Sequence, residues 1–144
     1  MDGTIVSGNV AGTNNVVDSG RGGGLFDTGR PGLAGLATVT NSRFTGNHAD
    51  RAGGAICVAG AGQTATVDLG TTRIDHNTAQ SGGGIFMDGA GGPPAQTAVT
   101  LEPGTSVDHN AASNGGGVLD LHQALLTLAG GTVTLNVPND ILKY

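Results

Sequence analysis

Two dipeptides carry the residue types most often used for chemistry, Asp75-His76 and Asp108-His109. Each precedes an asparagine, Asn77 or Asn110, and each follows an apolar residue, Ile74 or Val107. If the two segments lie in neighbouring layers, their carboxylates come within a few ångströms of each other, and so do their imidazoles. A close carboxylate pair raises one pKa or takes up a cation, and it can share general acid–base work as in glycoside hydrolysis. The competing expectation is a polar outer sheet edge with Arg43 and Arg73 nearby. The pattern does not extend to other copies, where Ser7-Gly8, Thr45-Gly46 and Thr134-Leu135 stand instead. Asp75, Asp108, His76 and His109 are therefore the candidate catalytic residues, while the reading as a whole leans away from an enzyme.

Other chemistries find less support. Gly22-Gly23-Gly24-Leu25-Phe26-Asp27 comes close to a calcium-binding G-G-x-G-x-D repeat but has Leu at its fourth position, and Val58, Met87 and Asp120 take the Asp27 place in the other runs. No phosphate-binding loop occurs, and no G-x-S-x-G nucleophile elbow. Cys57 is the one cysteine, which rules out an intrachain disulfide and reads as a small buried apolar residue. His48 and His122 have no evident partner. No metal site and no cofactor is expected. Sugar-stacking platforms are limited to Phe26, Phe86 and Tyr144, and neither an Asp-Asp pair nor an Arg-x-Lys occurs. Thr38-Val39-Thr40, Thr64-Ala65-Thr66 and Thr132-Val133-Thr134 suggest a hydroxyl array of the ice-binding kind. They do not share one register, and threonine is a good outward strand residue in any case.

The elements that position these residues come from a repeat. Apolar-x-x-Asn followed by a glycine run recurs: Val6 to Asn9 with Gly22-Gly23-Gly24-Leu25, Phe44 to Asn47 with Gly53-Gly54-Ala55-Ile56, Ile74 to Asn77 with Gly82-Gly83-Gly84-Ile85, and Val107 to Asn110 with Gly115-Gly116-Gly117-Val118. Val133 to Asn136 is a partial fifth copy without the glycines, ending at Pro138. The gaps between asparagines are 38, 30, 33 and 26 residues, too variable for a coiled coil but suited to a solenoid whose turns absorb insertions. The insertions fall at 10–21, 27–37, 57–65 and 87–97, and Pro31, Pro93 and Pro94 belong to them. Short alternating β-branched runs such as Ala37-Thr38-Val39-Thr40, Ala65-Thr66-Val67-Asp68 and Ala98-Val99-Thr100-Leu101 precede the asparagine motifs and read as strands.

The spacing predicts a right-handed, single-stranded parallel β-helix of about five coils, forming one domain over residues 1–144. The apolar residue three places before each asparagine points inward and stacks on its equivalent about 4.8 Å away. Asn9, Asn47, Asn77, Asn110 and Asn136 form a structural ladder at an inward corner, amide on amide. The composition agrees: 28 glycines, three Phe, one Tyr and no Trp suit thin repeated layers rather than a bulky globular core. A net charge of −5 with six scattered Lys and Arg residues argues against nucleic acid, which needs a basic face.

The pairing of Phe44-Thr45-Gly46-Asn47 with Gly53-Gly54-Ala55-Ile56 resembles the repeats of chlamydial-type polymorphic outer-membrane proteins. It is also similar to the right-handed parallel β-helix repeats of many secreted actinobacterial proteins. The resemblance covers roughly residues 4–141, and Gly130 to Ile141 looks like a closing repeat. No autotransporter barrel follows within these residues, and the chain is much shorter than β-helix enzymes. The resemblance implies an extracellular or cell-surface location and a role in adhesion or display. It implies no reaction.

These observations lead to a non-enzymatic secreted or surface β-helix module for adhesion, display or assembly. The alternative is a carbohydrate-binding or polysaccharide-degrading β-helix protein. No signal peptide and no apolar stretch of membrane-spanning length is visible, so membrane insertion is not expected. Thr4-Ile5-Val6 begins a coil without a cap, and Ile141-Leu142-Lys143-Tyr144 forms a thin one. Open solenoid ends invite stacking, so homo-oligomers or end-to-end association are expected. A polysaccharide or a cell-surface protein is the expected outside partner.

Overall fold

A computed structural model describes residues 1–12, 19–29, 32–90 and 96–144; Pro31, Pro93 and Pro94 lie outside them. The described residues contain no helix, and so none long and apolar enough to cross a membrane. They form a parallel β-solenoid. The first coil contributes β1 (Ile5–Ser7), β2 (Val10–Ala11), β3 (Leu25–Asp27) and β4 (Gly35–Thr40). The second has β5 (Arg43–Thr45), β6 (His48–Ala52), β7 (Ile56–Ala59) and β8 (Ala65–Gly70). The third has β9 (Arg73–Asp75), β10 (Thr78–Ser81), β11 (Ile85–Asp88) and β12 (Thr97–Leu101). The fourth has β13 (Ser106–Asp108), β14 (Ala111–Asn114), β15 (Val118–Leu121) and β16 (Leu125–Leu128), and a last partial coil has β17 (Thr132–Thr134) and β18 (Ile141–Lys143).

Equivalent strands stack into four parallel sheets. Sheet I is β1-β5-β9-β13-β17, sheet II β2-β6-β10-β14, sheet III β3-β7-β11-β15-β18 and sheet IV β4-β8-β12-β16. The expected five coils are thus corrected to four complete circuits and a partial fifth. The physical reason lies in the closing copy. It has no glycine run to make the turn, and Pro138, which has no N–H for a ladder, follows Val137, so Val137 makes only an isolated bridge to Ala111 in place of a fifth strand of sheet II.

Register places the apolar motif residues in columns. Val6, Phe44, Ile74, Val107 and Val133 stack through sheet I. Leu25, Ile56, Ile85, Val118 and Ile141 do so in sheet III, and Val39, Leu69, Leu101 and Leu128 in sheet IV. The middle members of each column are fully buried, whereas Val6, Leu25, Val133 and Ile141 at the two ends are only partly covered. Sheet III also carries an apolar column on the alternate side, in which Cys57, Phe86 and Leu119 are buried with Ala52 and Ala59. Burial pushes the Cys57 thiol up to about 12, so it stays protonated and packs as a small hydrophobe.

Two turns per coil depend on backbone geometry. The residue before each ladder asparagine is left-handed: Gly8, Gly46, His76, His109 and Leu135 have φ between 54° and 65°. At the glycine run of the third coil, Gly82 has φ 61°, and a Cβ on Gly83 would run into the carbonyls of Ala111 and Gly116 in the next coil. The run therefore keeps successive coils at sheet spacing where the chain bends most sharply.

Candidate functional site

The two Asp-His dipeptides do fall on neighbouring layers. Asp75 pairs with Asp108 and Arg73 with Ser106 across β9 and β13, while Arg43 pairs with Arg73 and Thr45 with Asp75 across β5 and β9. The alternation of the strands sends Ile74 and Val107 inward and the charged residues to the outer face of sheet I. His76 and His109 follow at the left-handed corner, and their rings stack with centroids 5.5 Å apart and planes 5° from parallel.

The carboxylates do not face each other openly. Asp75, whose side chain is fully buried, accepts hydrogen bonds from Arg43 Nε and Nη2 at 2.8–3.1 Å. Arg73 Nε lies 2.6 Å from the same Asp75 Oδ2, and its Nη2 reaches on to Asp108 Oδ1 at 3.0 Å. The result is an alternating chain Arg43–Asp75–Arg73–Asp108. His76 Nδ1 lies 3.4 Å from Asp75 Oδ1 and His109 Nδ1 2.9 Å from Asp108 Oδ1. Burial by itself would raise both carboxyls. For Asp75, hydrogen bonds from Thr45, Arg43 and His76 and the Arg43 charge more than offset it and hold the group below its ordinary value. For Asp108, His109, Ser106 and Arg73 do the same. A carboxylate held ionised in this way cannot act as a general acid near neutrality. Both are neutralised by guanidinium groups, so the face presents no concentrated negative charge to attract a cation. The two imidazoles are exposed, but parallel rings at this separation do not converge on one ion, whose bonds to nitrogen are about 2.0–2.1 Å. Among the described residues no group of three His, Cys, Asp or Glu side chains could hold a metal ion.

The other motif residues are distributed as follows. His48 and His122, which showed no partner in the sequence, have one: His48 Nδ1 lies 2.8 Å from Thr78 Oγ1 and Nε2 3.1 Å from Asp50 Oδ1, and His122 Nδ1 lies 2.8 Å from Asp88 Oδ1. Sequence reasoning missed Thr78 and Asp88 because they come from other coils, and missed Asp50 although it stands two residues from His48 in β6. Asp27, Val58, Met87, Asp120 and Lys143 form one column of sheet III, with Asp27 at its first-coil end and Asp120 next to Lys143. Asp27 Oδ2 and Asp120 Oδ1 are buried without a hydrogen-bond partner; burial raises the Asp27 carboxyl, and Lys143 Nζ lies 3.3 Å from Asp120 Oδ2. On the outer face of sheet IV, Thr38, Thr100 and Thr127 share a column that Asp68 interrupts, and Thr132 and Thr134 belong to sheet I.

The most regular polar feature is the asparagine column. Asn9 Nδ2 donates to Asn47 Oδ1, Asn47 to Asn77, Asn77 to Asn110 and Asn110 to Asn136, at 2.9–3.0 Å. Each backbone N–H donates to the same acceptor oxygen of the next coil. Nδ2 also reaches the carbonyl of the apolar motif residue one coil back: Asn77 to Phe44, Asn110 to Ile74, Asn136 to Val107. A second polar corner went unread in the sequence. Thr4, Ser42, Thr72 and Thr105 each stand five residues before a ladder asparagine. Ser42 Oγ accepts from Thr4 N, and Thr105 Oγ1 accepts from Thr72 N while donating to Leu69 O at 2.8 Å. That constant offset was the available signal.

Comparison with known proteins bears on one stretch of this architecture. Residues 41–59 match the Chlamydia polymorphic membrane protein (Chlamydia_PMP) repeat. The matched span runs from the corner before β5 through β7, taking in Asn47 and the Gly53-Gly54 turn. The chain is thus a parallel β-helix repeat protein that resembles the polymorphic membrane protein repeats, and the match points to a surface or outer-membrane protein module. No curated protein and no solved structure matches the chain.

Proposed function

We propose that the chain is a non-enzymatic secreted or surface β-helix module that serves adhesion, display or assembly. The observation that carries this reading is the state of the sheet I face. Its two candidate carboxylates are already engaged by Arg43, Arg73 and the neighbouring imidazoles, so the groups best suited to chemistry act as the ties of a rigid outer surface. The repeat match at residues 41–59 supports a surface setting. Rigid, regularly spaced polar faces suit recognition over an extended contact, because little side-chain entropy is lost when they bind.

The test is a panel of neutral and uronate polysaccharides assayed for bound and cleaved product, with the Asp75→Ala/Asp108→Ala variant as the control. Neither protein is expected to release product. Cleavage by the wild type that disappears in the double variant overturns the reading and favours a polysaccharide-degrading β-helix. Retention without cleavage identifies the module's partner as a carbohydrate.

A further inference from the structure

The two ends of the solenoid are chemically unlike. Along the asparagine ladder every amide-to-amide bond points one way, from coil to following coil, so the amide oxygens of Asn47, Asn77, Asn110 and Asn136 are each filled by the coil before. The Thr4–Ser42 and Thr72–Thr105 bonds run in the same direction. At the first coil, Asn9 is exposed, and no described residue donates to its Oδ1. The strand edges of β1, β2 and β3 and the partly covered core residues Val6, Leu25 and Ala37 surround it.

The last coil ends differently. Asn136 N and Nδ2 both donate to Asp140 Oδ1, at 2.9 and 3.1 Å. This is the role that the next asparagine's Oδ1 plays in every earlier coil. Asp140 precedes β18, and the register of sheet III aligns it with Gly117, Gly84, Ala55 and Gly24. Those positions are small because a Cβ on Gly84 or Gly117 approaches the ladder amide of Asn110 or Asn136. Only in the last coil does this position carry a polar side chain, and it sits where a following asparagine would have to bind.

The ends otherwise fit each other in phase. The last strand, β18, lies in sheet III, so a further coil would next enter sheet IV at the free edge of β16. At the other end the chain enters through that same sheet: Asp2 bridges Thr40, and Met1 and Gly3 exchange backbone hydrogen bonds with Thr40 at the β4 edge. Backbone pairing would therefore permit head-to-tail stacking, while Asp140 opposes it by setting an acceptor against the Asn9 acceptor.

We infer that Asp140 is a gatekeeper that closes one end of the solenoid, and that the Asn9 end is a docking face for another parallel β-solenoid whose terminal asparagine has free donors. This deepens the proposed role by naming a partner class and rests on it, but the mass measurement below needs no surface or ligand assay, so either can fail alone. The probe is this chain with Asp140→Gly, which restores the residue of the other coils and frees the Asn136 donors. Light scattering is expected to show a monomeric wild type and an Asp140→Gly protein of at least twice its mass. Labelled wild type, able to join only through its Asn9 end, is expected to enter those oligomers and shorten them, whereas labelled Asn9→Leu stays out. Should Asp140→Gly lose its β-sheet circular dichroism, Asp140→Ala replaces it, since Ala55 already occupies the equivalent position. A folded variant that stays monomeric, or a wild type that stacks head-to-tail unaided, overturns the inference.

Discussion

At the scale of the residue, polar side chains in this protein are there mainly to satisfy one another. Asn77 is fully buried, and its amide group serves Asn110, Phe44 and Asp75 at once while its oxygen accepts from Asn47. Replacing it with alanine leaves several buried groups unpaired and is expected to cost roughly 1–3 kcal/mol in a denaturant melt. An unchanged midpoint would mean that the ladder contributes nothing to stability. Asp75 and Asp108 give a pH dependence of definite sign. Their carboxyls sit below the ordinary 3.8 in the folded protein, so their stabilisation is present above that value and is lost as pH falls through the lowered folded values. Thermal midpoints are expected to drop on acidification below about pH 4, with a shallower drop in Asp75→Asn/Asp108→Asn. Asp27 has the opposite sign. Burial raises its carboxyl, so its charge opposes folding at neutral pH, and Asp27→Asn is expected to raise the midpoint at pH 7 but not at pH 3.

At the scale of the element, the corners hold more information than the strands. The strands are short, and many substitutions would preserve their alternation. The glycine runs tolerate far less. Gly83→Ala would press a methyl group against two carbonyls of the following coil and is expected to cost about 1–3 kcal/mol, whereas Gly62→Ala, on a turn whose Cβ position is open, should pay only for its positive φ. The hydroxyl corner makes a parallel prediction. Thr105→Val keeps the shape but removes the acceptor for Thr72 N and the donor to Leu69 O, and a loss of roughly 1–3 kcal/mol is expected. These elements were legible to different degrees. The asparagine motif and glycine run stand out because they recur together. The hydroxyl corner was overlooked because Ser and Thr also abound on the outward faces, where they mean little.

At the scale of the whole molecule, the stacking of coils decides what the sequence motifs can do. Each buried layer is thin, and its neighbours supply both its apolar contacts and its polar partners, so stability is shared between adjacent coils. The end coils have only one neighbour each. Amides of β1 and β17 are therefore expected to exchange faster with deuterium than those of β9, and the polarity of the ladder is expected to leave the Asn9 end the more labile. Slower exchange at β1 than at β9 would contradict this gradient.

The sequence by itself determined the solenoid class, the asparagine corners, the glycine turns and the placing of Asp75-His76 and Asp108-His109 on adjacent layers, because a repeat states its own register. Tertiary structure alone decided three other matters. Arg43 and Arg73 were visible as neighbours in the sequence, but only the stacked strands show them interleaved with the carboxylates into a neutral chain. His48 and His122 found partners remote in the chain, Thr78 and Asp88. Asp140 became the acceptor for Asn136 because it occupies the position of the small residues that precede the sheet III strands of the other coils. For Arg43–Asp75, Arg73–Asp108, His48–Thr78 and His122–Asp88 the physical reason is the same: these contacts run between coils, and which side chains meet across about 4.8 Å depends on turn lengths that motif spacing leaves free.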